Sequence, residues 1–237
     1  TLFRSTEFIL KMTITIEGLG AAVMAPVFCR EFGFLKGIWY AVFHSVSAFC
    51  NAGFDLMGVR AAFSSLTTYA GQPVINLAIM FLIVFGGIGF LTWEDITVHG
   101  LHFKKYRMQS KVILSVTGVL ILIPAVYFYF CEFSKGAWAD FSVPEKVLAS
   151  MFQSVTPRTA GFNTVELTAL TEAGQMMMII LMLIGGSPGS TAGGMKTTTA
   201  AVLFASAIAV FRQKEEAHFF GRRVPEDTIK NAATILL

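Results

Sequence analysis

IGGSPGSTAGGMK, residues 184–196, is a glycine-rich loop that interrupts an apolar part of the chain. The apolar runs on either side, 175–184 and 197–211, would measure roughly 15 and 22 Å as helices, so neither alone crosses a bilayer core of about 30 Å. Together they predict one membrane helix that is broken in the middle. Because lipid offers no hydrogen-bond partners to a bare backbone, such a loop should be buried in protein or line a water-filled pathway.

The same loop nearly matches the phosphate-binding motif G-x-x-x-x-G-K-[ST], but Met195 stands where the motif has its lysine. A phosphate loop follows a buried strand and opens a helix in a sheet domain. This loop follows a methionine-rich apolar run, so a nucleotide site is disfavoured. A simple helix kink is a second alternative, although ten consecutive small and helix-breaking residues exceed what a kink requires.

The composition predicts an all-α integral membrane protein that lies in the lipid bilayer. Of the 237 residues, 54% are hydrophobic and only 14% are charged, with a mean hydropathy of +0.65; soluble domains are roughly 25% charged. The net charge of +3 is small and no continuous basic face is present, so no nucleic-acid partner is expected. The chain starts at Thr1 and stops within an apolar segment, and we expect it to be a piece of a longer polypeptide.

Two copies of one unit follow each other along the chain: a span, a half-helix too short to cross a bilayer, a turn and a second span. Two spans separate equivalent points, so both copies should point the same way in a quasi-symmetric assembly. The first copy, 1–98, has a span at 8–28, a half-helix at 37–49, a turn at 50–54 and a span at 73–93. The second, 99–211, has a span at 112–131, a half-helix at 144–156, a turn at 158–163 and the broken span at 175–211, and residues 212–237 form a basic link and the start of a further repeat.

The basic residues set the orientation of these spans. They concentrate in two links, 94–111 and 212–230, whereas the segments around the half-helices are mixed or acidic. By the positive-inside rule the basic links are cytoplasmic, and the half-helices enter from the outside.

The turns after the two half-helices predict a cation filter. A half-helix that ends in a glycine-containing turn directs its partial negative charge and its bare carbonyl oxygens at an ion. Glycine tolerates positive φ, so successive carbonyls can point the same way. An ordinary re-entrant turn is the alternative, but the pattern recurs at an offset of 108 residues. The candidate filter residues are Asn51, Ala52, Gly53, Phe54, Thr159, Ala160, Gly161 and Phe162.

Several polar residues lie within the apolar segments. Glu17 is expected to make a hydrogen bond to a neighbouring helix or loop rather than to bind an ion. Arg158, next to the second turn, should point away from the pathway and bind a carboxylate or carbonyls as filter support. His44 lacks partners at metal-ligand spacing and should be a packed, hydrogen-bonded histidine. The glycines at 86, 87 and 89 predict a close approach between elements.

The runs SVTPRTAGFN, HSVSAFCNAGF and GGSPGSTAGGMK resemble the Trk/Ktr/HKT superfamily of potassium transporters. The likeness covers nearly the whole chain and is greatest to the membrane subunit of bacterial Ktr-type uptake systems, whose four repeats are related to potassium channels. This chain resembles the second and third of those repeats.

The resemblance implies potassium uptake, with K⁺ bound by backbone carbonyls of the filter residues and Na⁺ sometimes assisting. No covalent cofactor and no enzymatic chemistry are implied. The expected partners are a cytosolic ring of nucleotide-binding regulatory subunits, docked on the basic links, and a second copy in a homodimer in the bacterial plasma membrane. An intramembrane gate would comprise Gly185, Gly186, Ser187, Pro188, Gly189, Ser190, Thr191, Ala192, Gly193, Gly194 and Lys196.

Three other functions stay open at this point. A sodium-preferring or nonselective transporter of the same superfamily would use the same turns, since one glycine per turn does not define selectivity. A membrane enzyme acting on a phosphate would need a catalytic cluster at membrane depth. A membrane scaffold would tolerate substitution of Gly53 and Gly161. Two repeats do not enclose a four-repeat filter, so further residues or further chains would have to complete it.

Overall fold

The computed structural model describes residues 2–214 and 216–236, and most of them are helical. The helices are α1 Leu2–Phe32, α2 Phe34–Phe49, α3 Pro73–Ile88, α4 Phe90–His99, α5 Met108–Tyr127, α6 Val143–Val155, α7 Glu172–Leu183, α8 Thr197–Phe211 and α9 Glu226–Leu236. The exception to the predicted all-α class is a small antiparallel hairpin in the basic link, β1 His218–Phe219 and β2 Arg222–Arg223. Gly221, with φ of 79°, makes its tight turn.

Among the described residues, α1 and α5 are long and apolar enough to cross a membrane, α5 with the π-helical turn Phe128–Glu132 that extends it. The bent pair α3 and α4 could supply a third span. Helices α7 and α8 are shorter apolar helices on either side of residues 184–196, where the sequence predicts a broken span. Helices α2 and α6 lie at the two predicted half-helix positions.

The span predicted at 73–93 is not continuous. Helix α3 ends at Ile88, and the chain bends by 99° into α4. Gly89 makes the bend with φ of 88°, and a Cβ there would lie 2.6 Å from the carbonyl oxygen of Pro188. The amide of Phe90 donates to the carbonyl of Gly189 at 2.9 Å. The bend therefore arises where the glycine-rich loop packs against the end of α3, which an apolar pattern cannot indicate.

Each half-helix packs against the long helix that precedes it, α2 on α1 and α6 on α5. The main apolar core lies among α1, α2, α3 and α6, and a second core joins α6 and α7 to the end of α5. Ser142 and Glu145 form a capping box that fixes the start of α6. In this arrangement the C-termini of α2 and α6 carry the two predicted filter turns.

The loop between α2 and α3 is tied to the end of α1 by an ionic cluster. Arg60 pairs with Glu31 at 2.5 Å, and its guanidinium lies 4.9 Å from the ring centroid of Phe32. The Tyr69 hydroxyl donates to the same carboxylate at 2.6 Å. Burial, together with the Glu31 carboxylate, raises the pKa of Tyr69, so the phenol stays protonated and keeps donating.

Glu132 is a buried carboxylate that fastens α7. Its carboxylate, only 2% exposed, accepts hydrogen bonds from both the backbone amide and the hydroxyl of Thr171, which caps α7. Negative charge at a helix N-terminus is itself stabilising. The contact fixes the N-terminal end of α7, the helix that leads into the glycine-rich loop.

We predict that Glu132→Ala lowers the free energy of unfolding by roughly 3 kcal/mol, because two hydrogen bonds to a charged acceptor are lost and a buried amide is left unpaired. Thermal unfolding of the purified full-length protein would measure this through intrinsic tryptophan fluorescence, to which Trp138 contributes because it packs against the nearby Phe133. Glu166→Ala is the control, because Glu166 is an exposed carboxylate that accepts one hydroxyl, from Thr168. Equal effects of the two substitutions would contradict the assignment.

Candidate functional site

The two predicted filter turns lie directly against each other. A Cβ placed on Gly53 would overlap the carbonyl oxygen of Ala160 and would lie 2.8 Å from the Cα of Gly161. A Cβ placed on Gly161 would lie 3.3 Å from the Cα of Gly53. Only hydrogen fits at the first position, so the two backbones meet here without intervening side chains.

The backbone conformations of the two turns match at the 108-residue offset. Asn51 and Thr159 have φ of 52° and 68°, and Gly53 and Gly161 have φ of 71° and 84°. A left-handed conformation at a non-glycine residue is uncommon, and its occurrence at both equivalent positions is a specific likeness. In each turn, two residues that are two positions apart thus have a left-handed backbone conformation.

These turns carry carbonyl oxygens that face no donor. Within the described residues, no backbone amide donates a hydrogen bond to six of the carbonyl oxygens, those of Asn51, Ala52, Gly53, Thr159, Ala160 and Gly161. The carbonyls that follow are satisfied, because Phe54 accepts from Ser47 at 2.7 Å and Phe162 accepts from Thr156. The second turn borders a cavity of about 260 Å³ that also reaches Ala52. Unpaired carbonyls at the C-termini of two half-helices are chemically suited to replace the hydration shell of a cation.

The glycine-rich loop is anchored to the bend between α3 and α4. The amide of Ser187 donates to the carbonyl of Gly87 at 2.8 Å, and the amide of Thr191 donates to that of Gly86 at 3.2 Å. These acceptors are available because they lie at the C-terminal end of α3, where helical carbonyls lack intrahelical partners. The predicted close approach thus occurs at Gly86 and Gly89, where a Cβ would overlap the carbonyl oxygens of Phe49 and Pro188, whereas a Cβ on Gly87 would meet nothing within 4 Å.

The same loop reaches both filter turns. The Thr191 hydroxyl donates to the carbonyl of Phe49 at 2.7 Å and accepts from the Asn51 side-chain amide at 3.0 Å. On the other side, the amide of Gly193 donates to the Thr159 hydroxyl at 3.1 Å. One hydrogen-bonded set therefore joins the loop to the end of α2 and to the turn after α6.

The internal structure of the loop is unlike that of a phosphate-binding loop. It follows helix α7 rather than a strand, and Gly185 and Gly186 donate to the carbonyls of Met195 and Gly193. The Lys196 ammonium donates to the carbonyl of Ala192 at 2.8 Å, so it satisfies the loop's own backbone. Within the stretch that resembles the motif, the amides of Thr191 and Gly193 donate to the Gly86 carbonyl and the Thr159 hydroxyl.

Arg158 has a partner different from the one expected. Its side chain is 4% exposed, and its Nη2 atom lies 3.4 Å from the hydroxyl of Thr117 on α5, whereas we expected a carboxylate or carbonyl. Among the described residues its Nε atom has no hydrogen-bond partner. Thr117 lies on α5, so the contact joins the second turn to that helix.

Glu17 takes part in the expected contact between helices, but through its backbone. Its carbonyl accepts from the Ser45 hydroxyl of α2 at 2.7 Å. His44 is fully buried, and its Nδ1 lies 2.7 Å from the carbonyl of Tyr40 while its Nε2 accepts from the amide of Leu56. These partners define a neutral ring with the proton on Nδ1, which matches the expected packed histidine.

The structure adds two kinds of residue that the sequence reasoning missed. Ser47 and Thr156 donate to carbonyls at the ends of the two turns, and Thr191, already predicted as a gate residue, has an unforeseen partner in α2. A hydroxyl in the last turn of each half-helix was visible in the sequence and could have suggested the first pair. Nothing in the sequence indicated the partner of Thr191.

Comparison with known proteins agrees with this architecture. A family model described as "TrkH: Cation transport protein" matches residues 2–237. The chain belongs to the TrkH family. Its fold is also found in the crystal structure of the potassium transporter TrkH from Vibrio parahaemolyticus, with a TM-score of 0.64 and 19% identity over 89% of this chain and 45% of that one.

Curated relatives of this TrkH-family chain are potassium uptake proteins. The potassium/sodium uptake protein NtpJ of Enterococcus hirae is 38% identical over 228 residues, which are 96% of this chain and 49% of NtpJ. The Ktr system potassium uptake protein B of Bacillus subtilis is 35% identical over 224 residues, 94% of this chain and 49% of the relative. The chain spans about half the length of these relatives.

Proposed function

We propose that this chain supplies two of four repeats to a potassium uptake pathway, in which K⁺ is bound by backbone carbonyls of the two turns. The observation that carries the proposal is the direct packing of Gly53 on Gly161 beside six carbonyl oxygens that face no donor among the described residues. Dehydrating a cation requires such oxygens in a fixed array. The names of the curated relatives support potassium as the ion.

We further propose that residues 185–194, with Lys196, form a gate beneath this filter. The hydrogen bonds from Thr191 to the end of α2 and from Gly193 to Thr159 support that role, because a loop bonded to both turns could close a pathway that passes between them. Arg158 and Glu17 are proposed as filter support, the first through its contact with α5 and the second through α2.

Regulation and assembly are proposed from the relatives' description as parts of a Ktr system. A cytosolic ring of nucleotide-binding subunits would dock on the basic links, and the complete membrane subunit would be a homodimer in a bacterial plasma membrane. The name of NtpJ, which includes sodium, favours a role for Na⁺ as a second candidate ion.

Growth at low potassium tests the function. The full-length protein that contains this chain would be expressed in a bacterial strain without its own potassium uptake systems, with and without the cognate regulatory subunit. We expect the protein to restore growth at low potassium, and we expect added sodium not to suppress this growth. Rescue that follows sodium instead would favour the sodium-preferring alternative, and failure with the regulatory subunit present, despite membrane expression, would favour a scaffold.

Thr191→Val should raise the resting uptake of the full-length protein roughly thirtyfold, because two hydrogen bonds worth about 1 kcal/mol each hold the loop in place. Tracer rubidium influx into proteoliposomes without regulatory subunit would measure it. Thr198→Val is the matched control, since within the described residues no hydrogen bond involves the Thr198 hydroxyl. An unchanged or reduced influx in Thr191→Val would argue against a gate held closed by this threonine.

A further inference from the structure

A large apolar cavity lies between α5 and α8, apart from the filter turns. Its volume is about 650 Å³, within the range of about 300–1,000 Å³ that is usual for ligand sites. The wall residues are aliphatic or aromatic over most of its length and include Val116, Val119, Leu120, Ala201, Phe204 and Ile208. At its inner end it reaches Ile184, the residue that precedes the glycine-rich loop.

The mouth of this cavity is basic. Arg212 and Lys214, which follow the end of α8, border it together with Glu216 and His218. The Glu216 carboxylate is already paired with Arg223 at 2.8 Å. Within the described ranges 2–214 and 216–236, no ion pair involves Arg212 or Lys214, and both are exposed. The rim therefore offers two positive charges above an apolar chamber.

We propose that this cavity is a binding site for an anionic membrane phospholipid, with one acyl chain inside and the phosphate between Arg212 and Lys214. The basic link places the mouth on the cytoplasmic side, at the depth of the headgroups of the inner leaflet. Basic residues that rim an apolar space between membrane helices on that side suit an anionic headgroup. The guanidinium of Arg212 can bind a phosphate through two hydrogen bonds. A zwitterionic headgroup should bind less well, because its own positive charge is repelled by Arg212 and Lys214.

Lipid retention by the full-length protein tests this inference without relying on transport. Detergent-purified protein would be incubated with equal amounts of phosphatidylglycerol and phosphatidylcholine of identical acyl chains and analysed by native mass spectrometry. We expect phosphatidylglycerol to be retained roughly ten- to thirtyfold better, the effect of two basic side chains near one phosphate. Arg212→Gln combined with Lys214→Gln should abolish this preference.

A second pair of variants tests the chamber itself. Val119→Trp should obstruct the chamber and weaken retention of both lipids, whereas Val126→Trp on the same helix should retain phosphatidylglycerol as the wild-type protein does. Both valines are about equally exposed, at 52% and 57%, but only Val119 lines the cavity. Undiminished retention in Val119→Trp would overturn the proposal. The proposal would also be overturned if the wild-type protein retained neither lipid. That result is expected if another segment of the protein occupies the cavity.

Discussion

Gly53→Ala should reduce potassium uptake by the full-length protein at least tenfold. The left-handed conformation at Gly53 costs an L-residue about 1–2 kcal/mol, and the new methyl group would overlap the carbonyl oxygen of Ala160. Because Ala160 belongs to the other turn, one substitution displaces carbonyls on both sides of the proposed filter. Tracer rubidium uptake at matched membrane expression would measure the loss, and competition by sodium would reveal lost selectivity.

A graded series of glycine substitutions controls for a general effect of alanine. Gly161→Ala should be milder than Gly53→Ala, because its Cβ would lie 3.3 Å from the nearest atom outside its own turn. Gly118→Ala, in the middle of α5, should have no effect, since a Cβ there meets nothing within 4 Å. Full uptake by Gly53→Ala would mean that Gly53 is only a turn glycine, and the filter assignment would fail.

Gly86→Ala is expected to be the most destabilising substitution near the glycine-rich loop. A Cβ on Gly86 would overlap the carbonyl oxygen of Phe49 and would lie 2.8 Å from the Thr191 hydroxyl. The methyl group would thus separate α3 from the end of α2 and break the contact that Thr191 makes there. Overpacking of this kind costs about 1–3 kcal/mol, and we expect the upper end because backbone atoms cannot move aside easily.

The neighbouring glycine provides the control for this prediction. Gly87 is buried in the same helix, yet a Cβ there meets nothing within 4 Å. Gly87→Ala should therefore leave the unfolding temperature unchanged or raise it slightly, since alanine is the better helix former by up to about 1 kcal/mol. If the two variants unfold at the same temperature, the close approach at Gly86 is not what holds the loop.

Local sequence patterns predicted most of the helices and turns. The lengths of the apolar runs predicted half-helices where α2 and α6 occur, and glycine spacing indicated turns whose left-handed residues recur at the same offset. The breaker-rich run likewise separates α7 from α8. These features were accessible because helix length and positive φ depend on the residues of one segment.

Local sequence patterns could not predict the bend after α3 or the partner of Arg158. Residues 73–93 are apolar throughout, and a single glycine at 89 does not distinguish a bend from a tightly packed straight helix. The bend requires the carbonyls of the loop, about 100 residues further along the chain. Arg158 meets a threonine 41 residues earlier in the chain, on α5.

The sequence by itself indicated a mostly helical, apolar chain, with a glycine-containing turn after each of two short helices and a breaker-rich run between α7 and α8. Only the tertiary structure decided that the loop, the bend and both turns share one set of hydrogen bonds. The contact between Asn51 and Thr191 spans 140 residues, and the contact between Thr159 and Gly193 spans 34. Such contacts depend on how the helices pack against one another, and no local propensity of either segment specifies its distant partner.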